Sequence, residues 1–136
     1  VWVLADLSKP IKPIIFQDRR PYDLKKKDQD TDDNVFERDV YRYGVDARCN
    51  VGFGLWQLAY GSKQTLNAAN FNAAYQALRR MKGDDGKPLG IRPTHLIVNP
   101  TNRVTALEII QAERNAAGAT NVNRGAAEVI DTPYFD

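Results

Sequence analysis

Residues 41–55 read YRYGVDARCNVGFGL, and this stretch decides the fold more than any other part of the sequence. Its odd positions are all apolar or small: Tyr41, Tyr43, Val45, Ala47, Cys49, Val51, Phe53 and Leu55. Polar side chains and glycines fill the even positions before Leu55. Because successive side chains of a strand point to opposite faces, this period of two predicts one long strand, or two joined by a bend, with one buried face.

The residues before this strand predict two short strands and a charged loop. Val1 to Leu7 is almost wholly apolar, and a second apolar run from Ile11 to Phe16 contains a proline typical of an edge strand. Residues 18–33 then hold 11 charged side chains in 16 positions. That density indicates a loop in solvent or in contact with another chain.

The second half of the sequence changes to a helical period. Phe71, Ala74, Tyr75, Leu78 and Met81 recur at helical spacing, which predicts a helix over residues 68–82 with Asn67 or Thr65 as its cap. A second helix is expected after Asn99-Pro100-Thr101, carrying Val104, Leu107 and Ile110 and ending near Gly118. Short strands are expected at 94–98 and 128–130. The fold class is therefore α+β, with a long twisted antiparallel strand region and two principal helices in one domain over residues 1–136.

Composition and charge exclude several classes of protein. The formal net charge is +2, and residues 1–63 carry 11 basic and 10 acidic side chains against 8 and 7 in residues 64–136. Neither half has the basic excess of a duplex-binding module. The single cysteine excludes an intrachain disulfide and favours a reducing compartment. No apolar run approaches a membrane span and no secretion signal is visible, so we expect neither a secreted nor a membrane-bound protein.

The candidates for chemistry all have simpler structural explanations. His95 lies in a predicted strand without a nucleophile or acid nearby in sequence, and Cys49 lies on the apolar face of the long strand, so we expect both to be structural. Gly52-Phe53-Gly54 lacks the third glycine of a phosphate loop, and the acidic residues 28–33 lack the spacing of a calcium loop. We expect Trp2, Phe53, Trp56 and Tyr60 to be core or interface aromatics. No catalytic residue, metal ligand or cofactor is predicted.

Two blocks of sequence carry a resemblance to a known family. The first is VWVLADLSKPIKPIIFQDRR (1–20) with DDNVFERDVYRYGVDARCNVGFGLWQLAYGS (32–62), and the second is LNAANFNAAYQALRRMKGDDGKPLGIRPTHLIVNP (66–100) with GAAEVIDTPYF (125–135). Both resemble the Mu-type phage and prophage major head subunit, a branch of the capsid proteins with the HK97-like fold. The resemblance covers nearly the whole chain.

The resemblance implies a structural subunit, not an enzyme. Such a subunit self-assembles into pentamers and hexamers of an icosahedral phage shell, which encloses double-stranded DNA without sequence-specific binding. Assembly in the host cytoplasm and a final place in the virion capsid follow. No cofactor is implied. The charged loop then becomes the expected subunit interface, with these candidates: Arg19, Arg20, Lys25, Lys26, Lys27, Asp28 and Asp30.

The order of the two blocks is expected to depart from the family. In the family a helix-rich block, here residues 64–136, precedes a strand-rich block, here residues 1–63, so the chain is interpreted as circularly permuted near Lys63 and Gln64. The arm and the extended loop with which family members clasp their neighbours are expected to be missing. The chain is therefore predicted to be a monomer or a small oligomer.

Two other classes of function stay open at this point. One is a small adaptor or nucleic-acid-binding module that uses the charged 18–33 loop, for which salt-dependent retention on DNA is the test. The other is an enzyme whose site is assembled from residues distant in sequence. A deep pocket with a shifted carboxylate pKa would favour that enzyme.

Overall fold

The structure is a computed structural model that describes residues 1–115 and 117–135. Its elements follow in chain order: β1 (Trp2–Ala5), β2 (Ile14–Lys27), α1 (Asp33–Arg38), β3 (Arg42–Phe53), β4 (Ala59–Ser62), α2 (Ala68–Arg79), β5 (His95–Val98), α3 (Arg103–Ile110) and β6 (Glu128–Asp131). Short 3-10 turns at Trp56–Leu58 and Pro100–Asn102 precede β4 and α3. The α+β class and the two principal helices are confirmed.

The chain divides into two compact units. Residues 1–13 and 53–136 form what we call the core unit, and residues 14–52 form the hairpin unit. The junction of the two sequence blocks at residues 63 and 64 lies within the core unit, where β1 and β4 from the first block share one sheet with β5 and β6 from the second.

The sheet of the core unit has the strand order β4-β1-β5-β6. β1 pairs antiparallel with both β4 and β5, and β6 runs parallel to β5. Trp2 lies opposite Val98 and Leu4 opposite Leu96, so these four buried side chains share one face of the sheet.

Both longer helices contribute to the cluster that covers this face. α2 contributes Phe71, Ala74 and Leu78, as its spacing predicted, and the side chain of Asn67 caps its first turn by accepting the N–H of Asn70 at 2.7 Å. α3 contributes a different face from the predicted one: Ala106, Ile109 and Ile110 are buried, whereas Val104 is exposed and Leu107 half-buried.

The hairpin unit consists of β2, α1 and β3, and its two strands form a separate two-stranded sheet. Lys25–Lys27 at the end of β2 and Arg42–Gly44 at the start of β3 line one shallow depression, which places the joined ends of the two strands side by side. The predicted loop at residues 18–33 is therefore wrong for its first ten positions, because β2 continues to Lys27. Consecutive charged side chains are tolerated in a strand when neither face of the two-stranded ribbon is buried.

Candidate interaction surface

The apolar face of β3 is exposed to solvent, which contradicts the burial predicted for it. Tyr43, Val45, Ala47, Cys49, Val51 and Phe53 are all exposed, Val45 by 64% and Phe53 by 87%. The secondary structure was predicted correctly, since a strand does run from Arg42 to Phe53. The burial was wrong because no other element of the hairpin unit packs over the ribbon.

Other large apolar side chains extend this exposed surface over the rest of the hairpin unit. They are Ile14, Ile15, Phe16, Tyr22, Leu24, Phe36, Val40 and Tyr41. A two-stranded ribbon is marginally stable alone in water, and contiguous exposed apolar surface marks sites of protein contact. The hairpin unit therefore has the properties of a surface that becomes covered by another polypeptide.

The predicted interface residues lie on this unit, and only some of them meet. Arg19, Arg20, Lys25, Lys26 and Lys27 are on β2, while Asp28 and Asp30 follow it in the turn. Arg20 and Lys25 both bind the carboxylate of Asp46 on β3, the latter at 3.0 Å. Lys26 pairs with Asp28 at 3.4 Å, whereas Arg19 donates to Gln17 at 2.9 Å.

The ion pairs around Asp46 join the two strands. The hydrogen bond from Lys25 is the main cause that lowers the pKa of the Asp46 carboxyl; desolvation opposes it, and the charges of Lys25 and Arg20 lower the pKa further. All three side chains are at least one third exposed, so the pairs contribute little to stability. They are contacts between the two strands of the ribbon.

Charge is segregated along the hairpin unit. Residues 28–39, which we call the tip, carry six acidic side chains and one basic one. The two strand segments, residues 14–27 and 40–52, carry seven basic and three acidic side chains. An interface that buries this unit therefore needs a basic partner for the tip and acidic or neutral surface for the strands.

The tip has a defined structure built around α1. The side-chain amide of Asn34 donates to the carbonyl oxygens of both Lys27 and Val40, which closes the end of the ribbon. α1 ends at Arg38, and the next residue, Asp39, has a left-handed backbone with φ of 52°. Within the helix Val35 is buried, whereas its neighbour Phe36 is 84% exposed. Sequence reasoning missed Phe36, although an aromatic residue isolated among acidic ones was a visible signal.

The core unit carries an apolar cavity of about 400 Å³. It is lined by Lys9, Pro10, Ile11, Leu55, Gln57, Leu58, Leu89 and Ile91. Five of its apolar residues lie on the connections between elements rather than on strands or helices: Pro10, Ile11, Leu55, Leu89 and Ile91. Gln57 Oε1 is buried in the wall and has no hydrogen-bond partner among the described residues. No pattern in the sequence predicted this cavity.

The candidates for chemistry do not form a catalytic constellation. His95 Nδ1 contacts the Thr94 hydroxyl at 2.7 Å and its Nε2 lies 3.5 Å from Glu128, across the β5–β6 pair. Cys49 is exposed rather than in the core, because the face of β3 that carries it is uncovered. Within residues 1–115 and 117–135, no three His, Cys, Asp or Glu side chains form a metal-binding group. None of the described helices is both long enough and apolar enough to cross a membrane.

Comparison with known proteins gives the family. A family model described as the Mu-like prophage major head subunit gpT matches residues 1–135. The chain belongs to the Mu-like prophage major head subunit family. This is a family of structural capsid proteins and not of enzymes, so the resemblance seen in the sequence is confirmed at the level of the family.

Three similar proteins illustrate the match. The Mu-like prophage FluMu major head subunit of Haemophilus influenzae is 40% identical over 122 residues, which are 90% of this chain and 40% of that protein. The major capsid protein of Escherichia phage Mu is 34% identical over 135 residues, 97% of this chain and 44% of that protein. A chain in the procapsid structure of bacteriophage JBD30 superposes with a TM-score of 0.82 at 46% identity, covering 96% of this chain and 44% of that one.

The matches also bear on the order of the two blocks. The chain spans less than half the length of the relatives it matches. A permuted chain is expected to match its relatives in two separate pieces, one for each block. The family match instead runs as one span over residues 1–135. The circular permutation is thus not confirmed, and the continuous match favours the native order.

Proposed function

We propose that this chain is part of a phage major head subunit and self-associates through its hairpin unit to build the shell. The exposed apolar face of β3 carries this proposal, because it runs the length of a strand and nothing in the hairpin unit covers it. The relatives, a head subunit and a major capsid protein, support a role in which copies cover one another's surfaces.

The charged residues of β2 and the turn complete the proposed interface. Arg19, Arg20, Lys25, Lys26, Lys27, Asp28 and Asp30 lie in the same unit as the apolar face, and all but Asp28 are exposed. Charges at the rim of an apolar contact set orientation and partner choice more than affinity. We expect neutralising them to change the speed and salt dependence of assembly, and replacing the apolar residues to abolish it.

We propose several finer features that the family relationship supports. They are the HK97-like fold, the pentamers and hexamers of an icosahedral shell, the enclosure of double-stranded DNA without sequence-specific binding, and assembly in the host cytoplasm before the subunit enters the virion capsid. The extended segment formed by β2 and β3 supports a contact of this unit with a neighbouring copy. We expect residues 1–136 alone to form a small oligomer and not a whole shell, since the chain spans only part of its relatives' length.

A nucleic-acid-binding module using residues 18–33 is less well supported. Arg20 and Lys25 are engaged by Asp46, and the lysine run at 25–27 is followed directly by the acidic tip. Phosphate groups near this end of the ribbon would meet repulsion from the tip carboxylates.

A pair of matched substitutions tests the proposed function. Val45 on β3 and Val104 on α3 are the same residue type, with exposures of 64% and 62%. Val45→Lys is expected to leave the chain monomeric in light scattering at micromolar concentration, whereas Val104→Lys is expected to self-associate like the parent chain. Equal self-association of the two variants would exclude the β3 face as the interface.

A further inference from the structure

The core unit contains an apolar cavity, and the tip of the hairpin unit carries an exposed aromatic side chain. The cavity is apolar, and Ile11, Leu55 and Leu89 at its wall are each more than 40% exposed. Its volume of about 400 Å³ is in the range of sites that receive a ligand or an anchoring side chain. Three large apolar residues around one concave site are more than the scattered exposure of an ordinary surface.

Phe36 is the matching protrusion. It lies in the middle of α1 and exposes 84% of its surface, while Val35 beside it is buried and Asn34 fixes the helix to both strands of the ribbon. An aromatic side chain held on an ordered element loses little conformational entropy when it is buried in a partner. It is also the only aromatic residue of the tip.

The charges around the two sites are opposite in sign. The acidic tip surrounds Phe36 with Asp33, Glu37 and their neighbours. Lys9 lines the cavity, and the segment 79–92, which supplies Leu89 and Ile91 to its wall, carries five basic and two acidic side chains. One of the two acidic residues, Asp85, is paired with Lys87 at 3.3 Å. Lys9 and the net positive charge of the segment that supplies part of the wall are opposite in sign to the tip.

The basic segment is fixed at the cavity by specific bonds. The Arg79 guanidinium donates to the carbonyl oxygen of Ile91 at 3.1 Å, and the backbone N–H of Leu89 donates to the carbonyl of Met81 at 3.0 Å. Gln57, whose Oε1 has no partner among the described residues, lies in the same wall. Rotation of this amide would offer a polar contact to whatever fills the cavity.

We propose that the tip of one copy docks into the cavity of a second copy, with Phe36 inserted between Ile11, Leu55 and Leu89. This inference rests on the proposed function and names the two surfaces that meet. A contact in which one patch of a subunit binds a different patch of the next is heterologous, and heterologous contacts generate closed rings when the rotation closes. Such rings are the form of association that a shell subunit needs.

Disulfide trapping between two different variants tests the docking. In a Cys49→Ala background, which removes the only cysteine, chains carrying Phe36→Cys are mixed with chains carrying Leu89→Cys and oxidised mildly. A disulfide-linked heterodimer is expected, at least about tenfold more abundant than with Val122→Cys, a control position that is 88% exposed. A cross-link that forms only within single chains carrying both Phe36→Cys and Leu89→Cys would overturn docking into a second copy.

A charge exchange provides an independent test. Lys9→Glu alone and Glu37→Lys alone are each expected to weaken self-association about fivefold to tenfold, and mixing the two variants is expected to restore it.

The disulfide experiment also separates the docking from the proposed function. If the Cys49→Ala parent self-associates but the disulfide-linked heterodimer does not form, the docking is overturned and the proposed function stands. A parent chain that stays monomeric at all concentrations would overturn both.

Discussion

The carboxylate of Asp6 accepts the backbone N–H of Arg92 at 2.9 Å, although the two residues are 86 positions apart in the chain. The other carboxylate oxygen accepts the backbone N–H of Ser8 at 2.9 Å and its hydroxyl group. Asp6 is fully buried. This one side chain thereby connects the end of β1 to the segment that leads into β5, and it holds the backbone at both Ser8 and Arg92.

Replacing Asp6 is expected to destabilise the core unit. Asp6→Asn keeps the shape of the side chain but replaces one of its two acceptor oxygens with an NH2 group. The donors on Ser8 and Arg92 use both oxygens, so one buried donor loses its partner. The expected cost is about 1–3 kcal/mol in the free energy of unfolding, measured by urea denaturation. Asp131→Asn is the control, because Asp131 is half-exposed and its contact with Arg103 spans 3.6 Å. An equal effect of the two substitutions would contradict the assigned role of Asp6.

Stability is expected to fall in acid partly through the same residue. Burial raises the pKa of Asp6, but the side-chain hydrogen bond from Ser8 and the backbone N–H groups of Arg92 and Ser8 outweigh it, so the pKa lies below the usual 3.8. A carboxyl whose pKa is lower in the folded state stabilises the protein above its unfolded pKa, and this contribution is lost as the pH falls through the folded pKa. The unfolding free energy should therefore decrease below about pH 4.

The control for this pH dependence is the same Asp6→Asn chain. Because asparagine does not titrate, the variant should show a shallower loss of stability between about pH 4 and pH 2 than the parent chain. Parallel curves for the two chains would show that other carboxylates account for the acid sensitivity.

The sequence predicted the β3 strand to within two residues at each end and missed the burial of its side chains. Alternation in a sequence shows that one face of a strand is apolar, but it does not show which polypeptide covers that face. For β2 the error has the opposite form. Its charge density predicted a loop, yet a ribbon with two exposed faces has no interior that charges would disturb.

The face of α3 was mispredicted for a different reason. Apolar residues occupy five of its eight positions, so the pattern Val104, Leu107, Ile110 competes with Ala106, Ile109, Ile110. Spacing alone does not choose between overlapping stripes, and the sheet of the core unit selects the second. The charged stretch of the candidate interface is visible in the sequence, whereas the cavity is not, because it is formed by connections that are distant in sequence.

Two leucine truncations are expected to differ in their cost to stability, because Leu78 on α2 is packed more tightly than Leu107 on α3. Leu78 on α2 is fully buried in the core cluster, whereas Leu107 on α3 is half-buried. Leu78→Ala should cost about 2–5 kcal/mol in the free energy of unfolding, and Leu107→Ala clearly less. Denaturant midpoints measure both. A larger loss for Leu107→Ala would mean that α3 packs on its predicted stripe after all.

The thiol of Cys49 is expected to report directly on whether the β3 face becomes covered. Since Cys49 is exposed in the folded chain, a maleimide or an aromatic disulfide reagent should modify it without denaturant, at a rate within about tenfold of that in urea. A cysteine buried in a core would react only through rare opening of the fold. Self-association through this face should slow the reaction as the protein concentration rises, because the thiol lies among the apolar side chains that become buried.

Val45→Lys, which is expected to keep the chain monomeric, should abolish that protection while leaving the basal rate unchanged. Protection that persists in the Val45→Lys chain, or a parent chain whose thiol stays equally reactive when light scattering shows oligomers, would place the interface elsewhere on the molecule.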